Sequence, residues 1–325
     1  MDTKSLINQL FEKYKELSVK ELVSHLGVSK QMIHRLLKEM VLKGEFEKLG
    51  IAPKTLYRKK KISNRKESNV ELEGNASGSL KENFLMVSDT GQLLDGEVAF
   101  GIWCDKRNQP FEKTVHEYMK TVEKYKQYKN TFGLIEGTDK LKNTYHENTY
   151  LNKVFYLEFY AIERFGKTRL GTLLHYAKQG QNKFLMNILI REIKENVLKF
   201  IVNEGFDAVG YVPPTIRREV QIMKTLEENF NVPLPVVNIL KISGIIPVPQ
   251  KSLNKLEDRI VNAENTFAIA EVRKFNKVLL IDDAVGSGST LNQIAEKIKR
   301  KEVAKEVYGL AVVGSFKGFD VITDI

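Results

Sequence analysis

The sequence predicts an α/β protein built on a doubly wound parallel sheet, preceded by a small α+β unit. Three observations predict it. Val278-Leu279-Leu280-Ile281 is an apolar run closed by Asp282-Asp283 and a small-residue loop, the pattern of a strand buried on both faces. Leu291, Ile294, Ala295 and Ile298 follow at helical spacing, so a helix packs behind that strand. At the other end, residues 1–61 carry 14 basic against 7 acidic side chains, +7 of the chain's +10. They fall into three short helical patterns, a turn and a basic strand.

In the N-terminal stretch Ser18 is placed to cap a helix through Val19, Leu22, Val23 and Leu26. Gly27 ends it and Ser29 caps the next, whose Ile33, Leu36, Leu37 and Met40 face inward. Short helix, glycine turn and longer helix make a helix-turn-helix. Residues 46–49 and 55–58 would form the wing of a winged helix, ending in Arg58-Lys59-Lys60-Lys61. Lys30, Gln31, His34, Arg35 and Lys38 fall off the apolar face of the second helix. There they would meet the major groove and flanking phosphates of duplex DNA, joined by Arg58 and Lys59 from the wing.

Residues 62–83 are polar, rich in Asn, Ser, Gly and Glu, and read as a flexible linker. In 84–149, residues 84–87 and 92–94 flank Asp89-Thr90-Gly91 as a hairpin. Val115, Tyr118, Met119, Val122 and Tyr125 mark an amphipathic helix. This intermediate α+β region carries no motif that points to a role, and Trp103 and the single cysteine, Cys104, belong to its core. His25, His34, His116, His146 and His175 lack metal-ligand spacing, so no metal held by protein ligands is expected. The N-terminus is charged from Asp2, no apolar run reaches membrane-spanning length, and one Cys offers no disulfide framework. A cytoplasmic protein without a membrane partner is expected.

In the last part, Phe206 to Val212 reads as a second strand entering a helix, with Pro214 near its first position and Ile216, Val220, Met223, Leu226 and Phe230 as its buried stripe. Arg217 and Arg218 would stand in its first turn, where basic residues are unfavourable unless an anion is present; the pair hints at pyrophosphate. Gly286, Ser287, Gly288, Ser289 and Thr290 follow the other strand. A loop of such residues lets backbone N–H groups converge on a phosphate at a helix's positive end. Asp282 and Asp283 precede it, suited to a sugar diol beside that phosphate. A Walker loop is excluded because no Lys precedes Ser289 or Thr290.

Residues 278–290 resemble the phosphoribosyl diphosphate (PRPP) motif of type I phosphoribosyltransferases. The resemblance implies Mg²⁺-PRPP as ligand. Gly286, Ser287, Gly288, Ser289 and Thr290 would hold the 5-phosphate, Asp282 and Asp283 would lie beside the ribose, and Ala284 and Val285 between them complete the PRPP-binding set. Pro249-Gln250-Lys251-Ser252-Leu253 and the Glu257 to Phe267 stretch are similar to segments of the ComF family. So are Glu158-Phe159-Tyr160 and His175-Tyr176-Ala177-Lys178-Gln179-Gly180. On these, residues 150–325 are identified as a ComF-like phosphoribosyltransferase domain.

The chain departs from the pattern in lacking the four-cysteine zinc module, and in placing Gly286 where purine-salvage relatives have an Asp, which argues against purine salvage. Pro213, Pro214, Arg217, Lys251 and Arg259 are expected around the pyrophosphate, with Arg217, Asp282 and Asp283 as the catalytic set. The function implied is a glycosyltransferase that moves a phosphoribosyl group and releases pyrophosphate. Two alternatives stay open: a PRPP-responsive transcription regulator without turnover, built like the purine-operon repressors of Gram-positive bacteria, and an effector of a retron-type phage-defence module. A homodimer is a further expectation.

Overall fold

The structure, a computed structural model, describes residues 3–42, 45–49, 55–59, 74–145, 148–214, 218–242 and 266–315. It divides into two compact units, Met1–Glu71 and Leu72–Ile325. Among the described residues no helix is long and apolar enough to cross a membrane.

The first unit runs α1 (Thr3–Lys13), β1 (Leu17–Ser18), α2 (Val19–Leu26), α3 (Lys30–Leu42), β2 (Phe46–Leu49) and β3 (Leu56–Lys59). Its strands form an antiparallel sheet in the order β1-β3-β2. A reciprocal capping box starts α2: Ser18 Oγ accepts from Glu21 N while a Glu21 carboxylate oxygen accepts from Ser18 N. Gly27, at φ +63°, ends it in the left-handed region. Ser29 Oγ accepts from Met32 N at the start of α3. Ile7, Phe11, Leu22, Ile33, Leu37, Met40 and Phe46 make one small core.

The second unit begins with α4 (Gly74–Asn83), β4 (Leu85–Val87), β5 (Leu93–Asp95), α5 (Gly96–Lys106), α6 (Phe111–Lys126), β6 (Ile135–Glu136) and α7 (Thr138–Tyr145). Then come β7 (Lys153–Phe159), β8 (Ala161–Ile162), β9 (Gly166–Lys167), α8 (Arg169–Gln179), α9 (Lys183–Glu204), β10 (Ala208–Tyr211) and α10 (Ile222–Phe230). The unit closes with β11 (Ile239–Lys241), β12 (Phe267–Ile269), β13 (Phe275–Val285), α11 (Ser289–Arg300) and β14 (Ala304–Gly314). The main sheet has the order β10-β13-β14-β7-β6, parallel except for the short edge strand β6.

Alternate residues of its strands enter two cores, as the pleat requires. Val278, Leu280, Val307 and Ala311 pack with Leu291, Ile294 and Ile298 of α11 and with Phe100, Trp103, Tyr118 and Val122 of α5 and α6. Leu279, Ile281, Val209 and Leu310 pack on the other face with Leu173, Leu189, Ile193, Leu226 and Phe230 of α8, α9 and α10.

Three expectations change. Residues 74–83, expected as linker, are helix α4, and its Leu80 is fully buried in the core of the second unit. A polar, Gly- and Ser-rich composition hid one buried anchor. Residues 84–149 do not form a separate body: Phe84, Trp103, Tyr118 and Tyr125 share a core with the sheet, and β6 pairs with β7. The helix expected from Pro214 begins only at Ile222, after Gln221 in extended conformation. Val220 is half-buried in the connecting segment.

Candidate functional site

The connections of the sheet place a topological switch point at its carboxyl edge, the position of the ligand crevice in open α/β sheets. From β10 the chain passes through α10 and returns on the outer side of β10, where Val236 bridges Val209 in parallel and Val237 N donates to Val209 O at 2.7 Å. From β13 it passes through α11, on the opposite face, to β14 on the inner side. Chain direction therefore reverses between β10 and β13. Open α/β sheets bind ligands outside the carboxyl ends of the strands at such a point.

β13 outruns its neighbour there. Tyr211, the last residue of β10, pairs with Ile281, while Asp282, Ala284 and Val285 continue to pair only with β14, at Ala311, Val313 and Gly314. Asp282 to Val285 thus border the crevice with no β10 partner beside them. Asp283 turns to the side of α8, where Leu279 and Ile281 also pack. Asp283 is only 8% exposed. Its Oδ2 is ion-paired with Lys178 Nζ at the end of α8, and its N–H donates to Asp282 Oδ1 at 2.7 Å.

After Val285 the chain turns into α11. Gly288, at φ +77°, is the N-cap and contributes no side-chain bond, and Ser289 N donates to Ser287 Oγ at 3.3 Å. The first-turn N–H groups of a helix have no partner within it, so this entry suits an anion. A Cβ on Gly288 would lie 2.6 Å from Leu141 Cδ1 of α7. Changing Gly288 therefore strains both the turn and its packing, and tests the fold as much as the loop. Buried Asn292 fixes the first turn of α11: its side chain accepts from Tyr150 N and Leu151 N and donates to Asn148 O.

Two cations near this edge stood outside the sequence-based set. Lys178 was visible only as part of a family-like stretch. Lys140 of α7 donates to Ser315 O at 3.0 Å and lines a shallow depression together with Gly286, Ser287 and Gly288; burial pulls its pKa below the usual lysine range. Nothing in either residue's local sequence distinguishes it from a solvated surface lysine, since its position depends on sheet topology.

Of the expected pyrophosphate set, Arg217, Lys251 and Arg259 lie outside the described residues, as does most of the ComF-like 249–267 stretch. Pro213 and Pro214 follow β10 and are half-buried; proline has no N–H to donate, so a place beside a pyrophosphate would be one of shape and not of hydrogen bonding. Arg218 is not in a helical turn. It donates to Lys178 O, and its Nη2 to Gln179 Oε1 at 3.2 Å.

In the first unit Lys30, Gln31, His34, Arg35 and Lys38 are all exposed along one side of α3. Arg58 is ion-paired with Glu47 and Glu16. Lys59 lies 3.8 Å from Glu12.

No family model matches this chain, and no curated protein matches it. Among solved structures it is similar to a purine phosphoribosyltransferase from Pyrococcus horikoshii Ot3, at 18% identity over 42% of this chain and 93% of that one, with a TM-score of 0.23. A likeness that distant carries no weight beside the geometry of the crevice.

Proposed function

We propose that the second unit binds Mg²⁺-PRPP in the crevice between β10 and β13 and transfers its phosphoribosyl group, releasing pyrophosphate. One observation carries the reading: at the switch point, two acids on an overrunning strand lead directly into a glycine- and serine-lined helix entry. In this reading the N–H groups from Gly286 to Thr290 hold the 5-phosphate and Asp283 faces the ribose hydroxyls. An acceptor attacks C1, the C1–O bond breaks, and pyrophosphate leaves with the bonding pair. Catalysis of this kind consists mainly of positioning and charge stabilisation, which suits a site of amides, carboxylates and cations.

Among the described residues no three His, Cys, Asp or Glu side chains converge. The Mg²⁺ would be carried by phosphate and ribose oxygens of the ligand itself and by water, with Asp283 beside the ribose, and when bound it would neutralise diphosphate charge. Isothermal titration calorimetry of the full chain with Mg²⁺-PRPP tests the reading. Saturable one-site binding with Kd of about 1–100 μM, roughly 5–8 kcal/mol, is expected; heats of dilution alone would refute it.

The exposed side of α3 favours a second activity. We read the first unit as a winged helix whose Lys30, Gln31, His34, Arg35 and Lys38 contact duplex DNA. Arg35→Ala is expected to weaken DNA binding about tenfold and to reduce the salt slope by about 0.9, with Mg²⁺-PRPP affinity unchanged. Electrophoretic mobility shifts at several salt concentrations check this, and equal mobility of wild type and variant would remove α3 from the interface. Repeating them with Mg²⁺-PRPP distinguishes a regulator, because an effector that binds free and DNA-bound protein equally cannot shift the equilibrium.

A further inference from the structure

We propose that Lys178 exchanges between two anions: it holds Asp283 in the free protein and turns to the diphosphate when ligand takes the carboxylate. The inference rests on the PRPP reading of the crevice.

Lys178 occupies the last turn of α8, and its ammonium pairs with Asp283 Oδ2. The two side chains are 23% and 11% exposed, so the pair is enclosed without being sealed. The segment after β10 clasps the same helix end. Arg218 donates to Lys178 O and to Gln179 Oε1, and Val220 N donates to Gln181 Oε1 at 3.1 Å. The clasp joins this helix end to the β10 side of the crevice while Lys178 Nζ reaches Asp283 at the end of β13.

The two walls of the crevice differ in what they offer an anion. Beyond β13 lies a run of backbone N–H groups entering α11. Beyond β10 lie Pro213 and Pro214, which contribute none. Among the described residues at that side, Lys178 and Arg218 are the cations held in place to meet a phosphate with side chains. Ribose hydroxyls that donate to Asp283 compete directly with the lysine for the same carboxylate. The ammonium, on a flexible four-carbon stem, then moves to the diphosphate, for which its charge is the match.

The test compares two ligands on the full chain by calorimetry in Mg²⁺: PRPP, which carries the diphosphate, and ribose 5-phosphate, which does not. Lys178→Gln keeps a hydrogen-bond donor for Asp283 and removes the charge. PRPP should bind about tenfold more weakly, as expected for one lost bond to a charged group. Ribose 5-phosphate affinity should change less than about threefold or improve, because the competitor for Asp283 is weaker. Lys178→Arg should restore PRPP affinity.

A parallel loss for both ligands would mean that Lys178 only braces Asp283, and unchanged PRPP affinity would mean that it never reaches the diphosphate. Either result overturns the proposal while leaving the PRPP reading intact. Wild-type protein that binds neither ligand overturns both. Should Lys178→Gln fail to fold, the wild type supplies the readout: with lysines ¹³C-dimethylated, the Lys178 signal, assigned by its loss in Lys178→Arg, must move further with Mg²⁺-PRPP than with ribose 5-phosphate. Equal movement overturns the proposal.

Discussion

An Asp283→Asn protein is expected to lose at least about a hundredfold in Mg²⁺-PRPP affinity while remaining folded, because hydrogen bonds to a charged acceptor contribute about 1.5–3 kcal/mol each and a ribose diol makes two. The substitution keeps the shape of the side chain at a position 8% exposed. It replaces an acceptor-only carboxylate with an amide, half of which donates. It also leaves Lys178 without its counter-charge. Breaking a fully buried pair costs about 3–5 kcal/mol; with Lys178 23% exposed, water restores part of that, and a loss of about 1–3 kcal/mol is expected. Calorimetric titration and thermal unfolding separate the two effects. Affinity within threefold of wild type in a folded variant would remove Asp283 from the site.

Gly171→Ala is expected to have the largest effect on stability, at about 3 kcal/mol or more, since overpacking a rigid core contact commonly costs 1–3 kcal/mol and occasionally exceeds it. A Cβ there would lie 2.1 Å from Tyr160 O and 3.0 Å from Tyr160 C, and main chain cannot step aside as a flexible side chain would. Thr168 pins the same junction. Its N–H donates to Tyr160 O, and its hydroxyl donates to Phe159 O and accepts from Gly171 N. The entry of α8 is thus seated on the end of β7. Lys178 lies seven residues further along the same helix, roughly 10 Å at 1.5 Å per residue, so a shift at Gly171 is carried to Asp283. Differential scanning calorimetry should show the lowered transition. A melting temperature equal to wild type would mean that α8 slides freely on β7.

The features legible in the sequence were those encoded within a few residues. The apolar run into Asp282-Asp283 and the loop into α11 were readable because strand, turn and helix are contiguous. Ser18, Gly27 and Ser29 were readable for the same reason. Hidden features depend on partners distant in the chain. Lys178 meets Asp283 across 105 positions, and Leu80 of α4 finds its core only through residues far beyond it. The pairing of Arg58 with Glu16, 42 positions away, was hidden for the same reason. The late start of α10 had a local sign that periodicity outweighed: Pro213-Pro214 biases the backbone toward extended geometry, and a stripe through Ile216 and Val220 read straight past it.

The only tryptophan of the chain, Trp103, is 6% exposed, stacks on Phe100 at 5.6 Å and has the Arg107 guanidinium 4.4 Å above its ring. Its native emission therefore reports on the second unit alone, and through a core shared by α5, α6 and the sheet. Loss of α1, α2 and α3 is read in helical ellipticity, loss of the Trp103 core in the emission. Recorded together during one denaturant titration, the two optical signals resolve the melting of each unit in the unmodified chain, with no label and no truncation.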